Sequence, residues 1–263
     1  MPAMHPDLVA LDAYAPLPRA LHGVEEPATS VRLLAATLPA PLVPVVAAGR
    51  DVPPAWPLAR IDADAWPGDV GADAAASLLV RLPVARMAEL VPQARRLGAL
   101  EPAGVLLDLT PLADHAPFGE VAWRPRRREE LAELRAAIGR PLWLDGVASP
   151  ADAEVAAEAG LDGIVVRSAL GRRLGGPAVA EVLPEVLDTV AGMLGVHVGG
   201  PIRDGVDVFR YLALGAEAVL PDAGVEVRRL TAELAYAMRL TGCATLEDVG
   251  YEALFAPLWE EGG

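Results

Sequence analysis

Lysine is missing altogether: all 22 basic residues among the 263 are arginine. Schiff-base and lysine-assisted chemistry are excluded on that ground. Every cationic contact must therefore come from a guanidinium, a planar group shaped for carboxylate and phosphate. Cysteine is almost as scarce, and a lone Cys243 allows no internal disulfide and no cysteine-based metal cluster. Positive charge is in deficit, with 36 acidic residues and a net charge of −14. Such a field repels a phosphate backbone or an anionic lipid surface, so neither nucleic acid nor membrane is expected as a partner. No apolar run reaches the roughly 18 residues that a membrane helix needs. The opening MPAMHPDLVALDAY lacks a basic stretch followed by an apolar one, so a secretory leader is not expected and a cytoplasmic location is. Walker loops, GxSxG elbows, HExxH helices and glycine-rich dinucleotide loops are also absent from the sequence.

Hydrophobic residues make up 53% of the chain, ample material for one large core. Residues 1–40 are proline-rich and weakly patterned, with helices expected around Leu11–Leu21 and Val31–Leu38. From there apolar runs of strand length recur at Pro41–Ala48, Leu58–Asp62, Leu78–Leu82, Val105–Leu109, Leu142–Asp145, Gly163–Val166, Val196–Val198 and Ala218–Leu220. Amphipathic helices fall between the later ones, at Val84–Leu97, Arg128–Ile138, Pro150–Ala159, Ala178–Met193, Asp204–Leu214 and Val225–Leu240. Ser149-Pro150 reads as an N-cap with proline at the first helical position, and Gly160 as a left-handed C-cap. Eight strands alternating with helices predict an α/β fold with a parallel sheet, either a (β/α)8 TIM barrel or a doubly wound sheet. The count and the length favour the barrel. The division expected is an N-terminal extension over 1–40, the barrel over 41–250 and a tail over 251–263.

Within the barrel, IVVRSALGRRLGG (164–176) runs from a buried strand into polar groups and glycines, the layout of a site at a strand end. The stretch RPLWLDGVASPADAEVAAEAGLDGIVVRSALGRRLGGPAVAEVLPEV (140–186) resembles the FMN-dependent α-hydroxy-acid oxidase/dehydrogenase family, which includes glycolate and lactate oxidases. VHVGGPIRDGVDVFRYLALGAEAVL (196–220), LTAELAYAMRLTGCATLEDV (230–249) and, more thinly, LVPQARRLGALEPAGVLLDLTP (90–111) resemble it too. The resemblance implies an FMN-binding TIM barrel. It also implies site residues, and several differ here. The family's Lys-Gly at the end of strand five is Asp145-Gly146. Its Ser-Asn-His-Gly-Gly-Arg after strand six is Arg167-Ser168-Ala169-Leu170-Gly171-Arg172, which retains the substrate-type Arg172 but puts Ala169 at the catalytic base. The phosphate cradle Asp-Gly-Gly-Ile-Arg is Gly199-Gly200-Pro201-Ile202-Arg203, and Pro201 removes one N–H. The Gly-Arg clamp of strand eight is Pro221-Asp222-Ala223. The Gln-x-Tyr of strand three maps on to Ser77-Leu78-Leu79.

Arg172 and Arg203 are therefore the candidate anion-binding residues, the alternative being that they pair with Asp145, Asp204 or their neighbours. FMN, if bound, would rest on Gly199, Gly200 and Arg203. Asp62, Asp108 and Asp145 fall at strand ends, where barrel enzymes place catalytic groups; Asp108 and Asp145 are the candidates for cofactor-free or metal-assisted chemistry. His5, His22, His115 and His197 show no ligand spacing. Cys243 reads as structural, the cluster at Arg124–Arg128 as a solvated helix start, and Trp56, Trp66, Trp123, Trp143 and Trp259 as packing anchors. A divergent homologue without the parent oxidation activity is expected, binding an anionic small molecule or acting as a structural partner. An active FMN oxidoreductase of a 2-hydroxy acid with a rearranged site is the alternative. A mean hydropathy of +0.33 suggests surplus apolar surface, hence a homo-oligomer or a protein partner.

Overall fold

The computed structural model describes residues 4–46, 56–63, 75–113, 126–172 and 174–255; the side chains of Leu112, Ala113 and Arg172 are not among them. His115, the residues Arg124 and Pro125, Trp66, Trp123, Trp259 and the tail from 256 lie outside the described residues.

Helix α1 (Pro6–Leu11) starts with proline at its first position, and the His5 ring accepts from the Asp7 N–H. The helix predicted over Leu11–Leu21 thus lies one turn and more upstream. Ala15–Pro16 forms a short strand, β1, instead. Residues 31–38, predicted helical, are a hairpin: β2 (Val31–Leu33) pairs antiparallel with β3 (Ala36–Leu38). Leu33 and Leu38 are buried while Arg32 and Thr37 face out, an alternation of period two. Leu34 turns the chain at φ 53°, a conformation that usually marks itself with glycine or asparagine.

The main sheet follows in chain order: β4 (Ala59–Asp62), β5 (Leu78–Pro83), β6 (Gly104–Asp108), β7 (Leu142–Val147), β8 (Gly163–Val166), β9 (Gly195–Gly200) and β10 (Ala218–Pro221). All pairs are parallel and each strand neighbours the next in sequence. The predicted strand at Pro41–Ala48 is not a regular strand in its described part, 41–46. It nevertheless bonds to both edges of the sheet. The Val43 and Val219 amides donate to Val219 O and Pro41 O, and the Val46 and Arg60 amides donate to Arg60 O and Pro44 O. Its proline pair, Pro41 and Pro44, removes two ladder donors, which explains isolated bridges in place of a continuous ladder.

Between strands run α2 (Met87–Ala99), α3 (Arg128–Ile138), α4 (Pro150–Glu158), the one-turn α5 (Ala169–Arg172), α6 (Val179–Val190) and α7 (Gly205–Ala213). Helix α8 (Val227–Thr241) follows β10. Their ends match the chemistry of their caps. Ser149 accepts from the Asp152 N–H, Asp204 from Val206 and Asp207, and Gly139 and Gly242 close helices at positive φ. Strands buried along nearly their whole length read as continuous apolar runs, which made them legible. The 1–40 segment is not separate from this core: Leu11, Tyr14, Leu33 and Leu38 are buried in it, and β1 pairs with β11 (Leu254–Phe255) near the far end of the chain.

Candidate active site at the strand ends

Charge is concentrated where β4 to β10 end. Asp108 closes β6 and lies in register opposite Asp145 on β7, so pairing brings the two candidate carboxylates side by side. Each is fully engaged. Asp108 accepts from Arg81 Nε at 2.7 Å, from the Thr110 N–H at 2.8 Å and from the Thr110 hydroxyl at 2.7 Å. Arg81 also pairs with Asp62 at 3.3 Å, so the third predicted carboxylate belongs to the same network. Asp145 accepts from Arg167 Nε at 2.5 Å and has Arg60 Nη1 at 3.8 Å. Arg167 continues to Asp222 at 3.2 Å and towards Leu220 O, while Arg60 donates to Pro221 O at 2.8 Å. Among the described residues, no three His, Cys, Asp or Glu groups are arranged to hold a metal ion.

Burial sets the electrostatics. It pushes the Asp145 carboxyl above its ordinary value, against the pull of the two arginines. It lowers Arg60 to about 10, still charged at neutral pH, with Arg167 adding like-charge repulsion. For Arg167 burial is outweighed by Asp145 and then Asp222, and its pKa is raised. The guanidinium of Arg167 packs against Gly199. A Cβ at Gly199 would sit 2.5 Å from Arg167 Nε, so a larger residue there requires this side chain to move off its place.

A cavity of about 390 Å³ opens above this floor, lined by His5, Asp7, Thr110, Arg167, Ser168, Ala169, Gly199, Gly200, Pro201 and Asp222. Its volume falls in the range of small-ligand sites. A larger opening of about 610 Å³ lies aside from it, between Asp62, Arg81 and α2. Helix α1 forms part of the wall. Asp7 accepts from the Ser168 hydroxyl at 2.7 Å and the Val179 N–H at 3.1 Å, and is buried. Burial, with Asp7 and Asp207 nearby, keeps the Tyr211 hydroxyl protonated far beyond its ordinary range.

The structure gathers Asp108, Asp145, Gly199 and Gly200 at this mouth. Arg203 stands apart from the cavity lining. Its N–H and Nε donate to Asp207 Oδ2 at 3.0 and 2.9 Å, Nη2 to Asp207 Oδ1 at 2.7 Å, and Nη1 and Nη2 to Asp12 at 2.9 and 2.5 Å. Both carboxylates raise its pKa. Arg172 ends α5 beside the mouth, its side chain outside the described set. Cys243 is buried and donates to Asp248 O, and His197 stacks on Trp143 inside the core, as structural residues do.

A family model for FMN-dependent dehydrogenases matches residues 110–256. The chain belongs to this family. Over 136 residues it is 37% identical to a peroxisomal (S)-2-hydroxyacid oxidase of Arabidopsis thaliana, covering 46% of this chain and 38% of that protein. It is 41% identical over 136 residues to an L-lactate oxidase of Roseobacter, covering 46% of this chain and 37% of that one. The match therefore spans less than two fifths of these curated relatives. In fold the likeness is fuller. A putative lactate oxidase of Pediococcus acidilactici superposes with a TM-score of 0.77 at 21% identity, covering 97% of this chain and 86% of its own. A mandelate oxidase variant carrying a monooxide FMN adduct superposes at 0.72 and 24%, covering 96% and 91%.

Asp145 and Arg167, at the positions where the resemblance implies lysine and serine, form an ion pair with each other. Reading the sequence position by position singled out Asp145 but passed over Arg167 and Arg60. A signal existed: Arg60 interrupts the apolar run Leu58–Ile61, and a charged residue inside a buried strand requires a partner. Asp7 and Asp12 sit in a weakly patterned segment and carried no such signal.

Proposed function

We propose that this member of the family does not carry out flavin-dependent oxidation of 2-hydroxy acids and is instead a binding protein for a small polar molecule at the mouth of a (β/α)8 barrel, with residues 41–46 as the first stave. The observation that carries this reading is the Asp145–Arg167 pair lying over Gly199. In the family pattern a lysine cation and an open glycine-rich backbone face the flavin; here the chain's own guanidinium covers that backbone.

The residues present do not fit a flavin mononucleotide. Gly199 is covered by Arg167, Pro201 offers no N–H, Arg203 is taken up by Asp12 and Asp207, and Asp222 and Asp7 put two carboxylates beside Gly199 and Gly200 where a phosphate would lie. At an effective dielectric of about 20, two like charges 4 Å apart repel by roughly 4 kcal/mol, so one such carboxylate offsets much of a phosphate's gain from an arginine. Ala169 cannot take a proton, and a positioned base contributes about 10²–10⁴-fold to such a step. Asp108 and Asp145, the other catalytic candidates, serve as counter-ions of Arg81 and Arg167. Tyr236 and Leu240 on α8, with Phe255 beyond it, remain exposed and offer apolar surface for a second copy or a partner.

One experiment addresses both parts: gel filtration of the purified protein, incubated with FMN, with absorbance and light scattering recorded together. The expected result is a colourless peak at a multiple of the chain mass. Stoichiometric flavin retained through the column, and bleached by a 2-hydroxy acid, overturns the binding-protein reading. A monomer mass removes the assembly.

A further inference from the structure

Four aspartates are buried among the described residues: Asp7, Asp108, Asp145 and Asp207. Three of them lie against guanidinium groups, Asp108 against Arg81, Asp145 against Arg167 and Arg60, and Asp207 against Arg203 and Arg210. Asp7 does not. Its side chain is 3% exposed, and its oxygens accept from neutral groups, Oδ1 from the Val179 N–H at 3.1 Å and Oδ2 from the Ser168 hydroxyl at 2.7 Å. The His5 ring approaches it, with Nδ1 3.5 Å from Oδ2. That nitrogen accepts from the Asp7 N–H, so it has no proton to share with the carboxylate. A carboxylate is rarely buried without a cation, because burial strips away the water that would solvate its charge.

Asp7 lines the mouth cavity, and the side chains around it offer acceptors. Asp222 is a second carboxylate, 58% exposed and bonded to Arg167 through Oδ1. The Ser168 and Thr110 hydroxyls donate to Asp7 and Asp108, so what each keeps for a ligand is an oxygen lone pair. Arg167, the guanidinium of the lining, is engaged by Asp145, Asp222 and Leu220 O. Among the described side chains of the mouth, Arg60, Arg81 and Arg167 face five aspartates, three cations against five anions, which leaves two negative charges in excess. The cavity lacks a cation rich in donors. A guanidinium fork is best matched by two open carboxylate oxygens, whereas each oxygen of Asp7 already holds one hydrogen. An ammonium group carries three N–H donors on one compact charge.

We propose that the mouth cavity binds a small primary amine, whose ammonium group is the counter-ion of Asp7 and takes Asp222 and the hydroxyl oxygens of Ser168 and Thr110 as its further acceptors. This names the ligand class for the binding-protein reading above and rests on that reading. The ligand is opposite in charge to the 2-hydroxy acids after which the relatives are named. The volume of about 390 Å³ suits a molecule of that size.

The test uses the full-length chain at neutral pH, with ethanolamine as probe. Tetramethylammonium, equal in charge but without N–H donors, and L-lactate serve as controls at matched ionic strength. Ethanolamine should raise the melting temperature saturably, and neither control should. Asp7→Asn should weaken ethanolamine by about tenfold or more, the loss of one charge-assisted hydrogen bond, and Asp222→Asn at the exposed rim by less. Amide NMR shifts induced in the wild type should fall on the segments that line the cavity, residues 5–8, 110, 167–169, 199–201 and 222. No response to ethanolamine, a response to lactate in its place, or an undiminished response in Asp7→Asn would sink the proposal. So would an equal response to tetramethylammonium, which marks mere screening of the −14 charge. If Asp7→Asn does not fold, the wild-type shifts decide, and shifts scattered over the acidic surface reject it. The two readings fail separately: flavin retained on the column refutes the binding-protein reading, whereas a colourless protein that ignores ethanolamine refutes this one alone.

Discussion

Asp145 sits between the guanidiniums of Arg167 and Arg60, all three buried, and its loss would leave two cations in a space with little water. Breaking a buried pair from one side costs about 3–5 kcal/mol, because the remaining charge keeps its desolvation penalty. Asp145→Asn should therefore lower the urea-unfolding free energy by about that amount. Replacing Asp145 and Arg167 together by leucine should recover only part of it, since Arg167 is then no longer stranded but buried Arg60 still lacks its carboxylate. A single substitution costing under about 1 kcal/mol would show that the pair is not what holds the mouth together. His197 gives a second residue-level test. Burial against Trp143 lowers its pKa from 6.5 to about 3. Between those values the unfolded chain binds a proton that the folded chain refuses, so stability is fully present above 6.5 and falls as the pH drops. The slope for one proton is about 1.4 kcal/mol per pH unit. The unfolding free energy of the wild type minus that of His197→Phe should be flat above 6.5 and should fall below it at about that slope. A pH-independent difference would contradict the burial of a neutral ring.

Elements were legible where a single local period decided them. Helix α3 begins and ends where its pattern predicts, at Arg128 and Ile138, and β8 likewise at Gly163 and Val166. The hairpin of β2 and β3 was misread because Val31, Leu33, Leu34 and Leu38 suit a helical stripe as well as alternation. The turn residue that would have separated the two is a leucine at positive φ. Packing between elements is another level again. Gly205 opens α7 directly against α8, where an added Cβ would lie 2.5 Å from Glu233 Cβ and closer still to the Leu234 backbone. Helix propensity alone favours alanine over glycine by about 1 kcal/mol. Because the obstacle includes backbone, the steric cost, about 1–3 kcal/mol for overpacking, should prevail. Gly205→Ala is expected to destabilise, as thermal melting can check; a gain in melting temperature would mean that α8 shifts freely.

At the scale of the molecule, charge is the feature that composition and fold divide between them. Absent lysine and a net charge of −14 narrow the partners and the chemistry before any coordinate is known. The apolar runs and their spacing specify parallel strands between helices, because burial along nearly the whole strand leaves a continuous signature in the chain. What each arginine does is not legible there. Arg203, an anion clamp or the partner of a nearby aspartate on the sequence alone, is bound by Asp12 and Asp207; Arg167, named only as part of the stretch after strand six, forms the floor of the site. A salt bridge joins positions 22 apart in one case and 191 in the other, and no local pattern encodes which aspartate will meet which arginine. The sequence by itself determined the family and most strands and helices from residue 58 on, because each depends on neighbours along the chain. The tertiary structure alone decided that the site is filled by the protein's own charges, because buried ions take whichever partner the fold brings within about 3 Å.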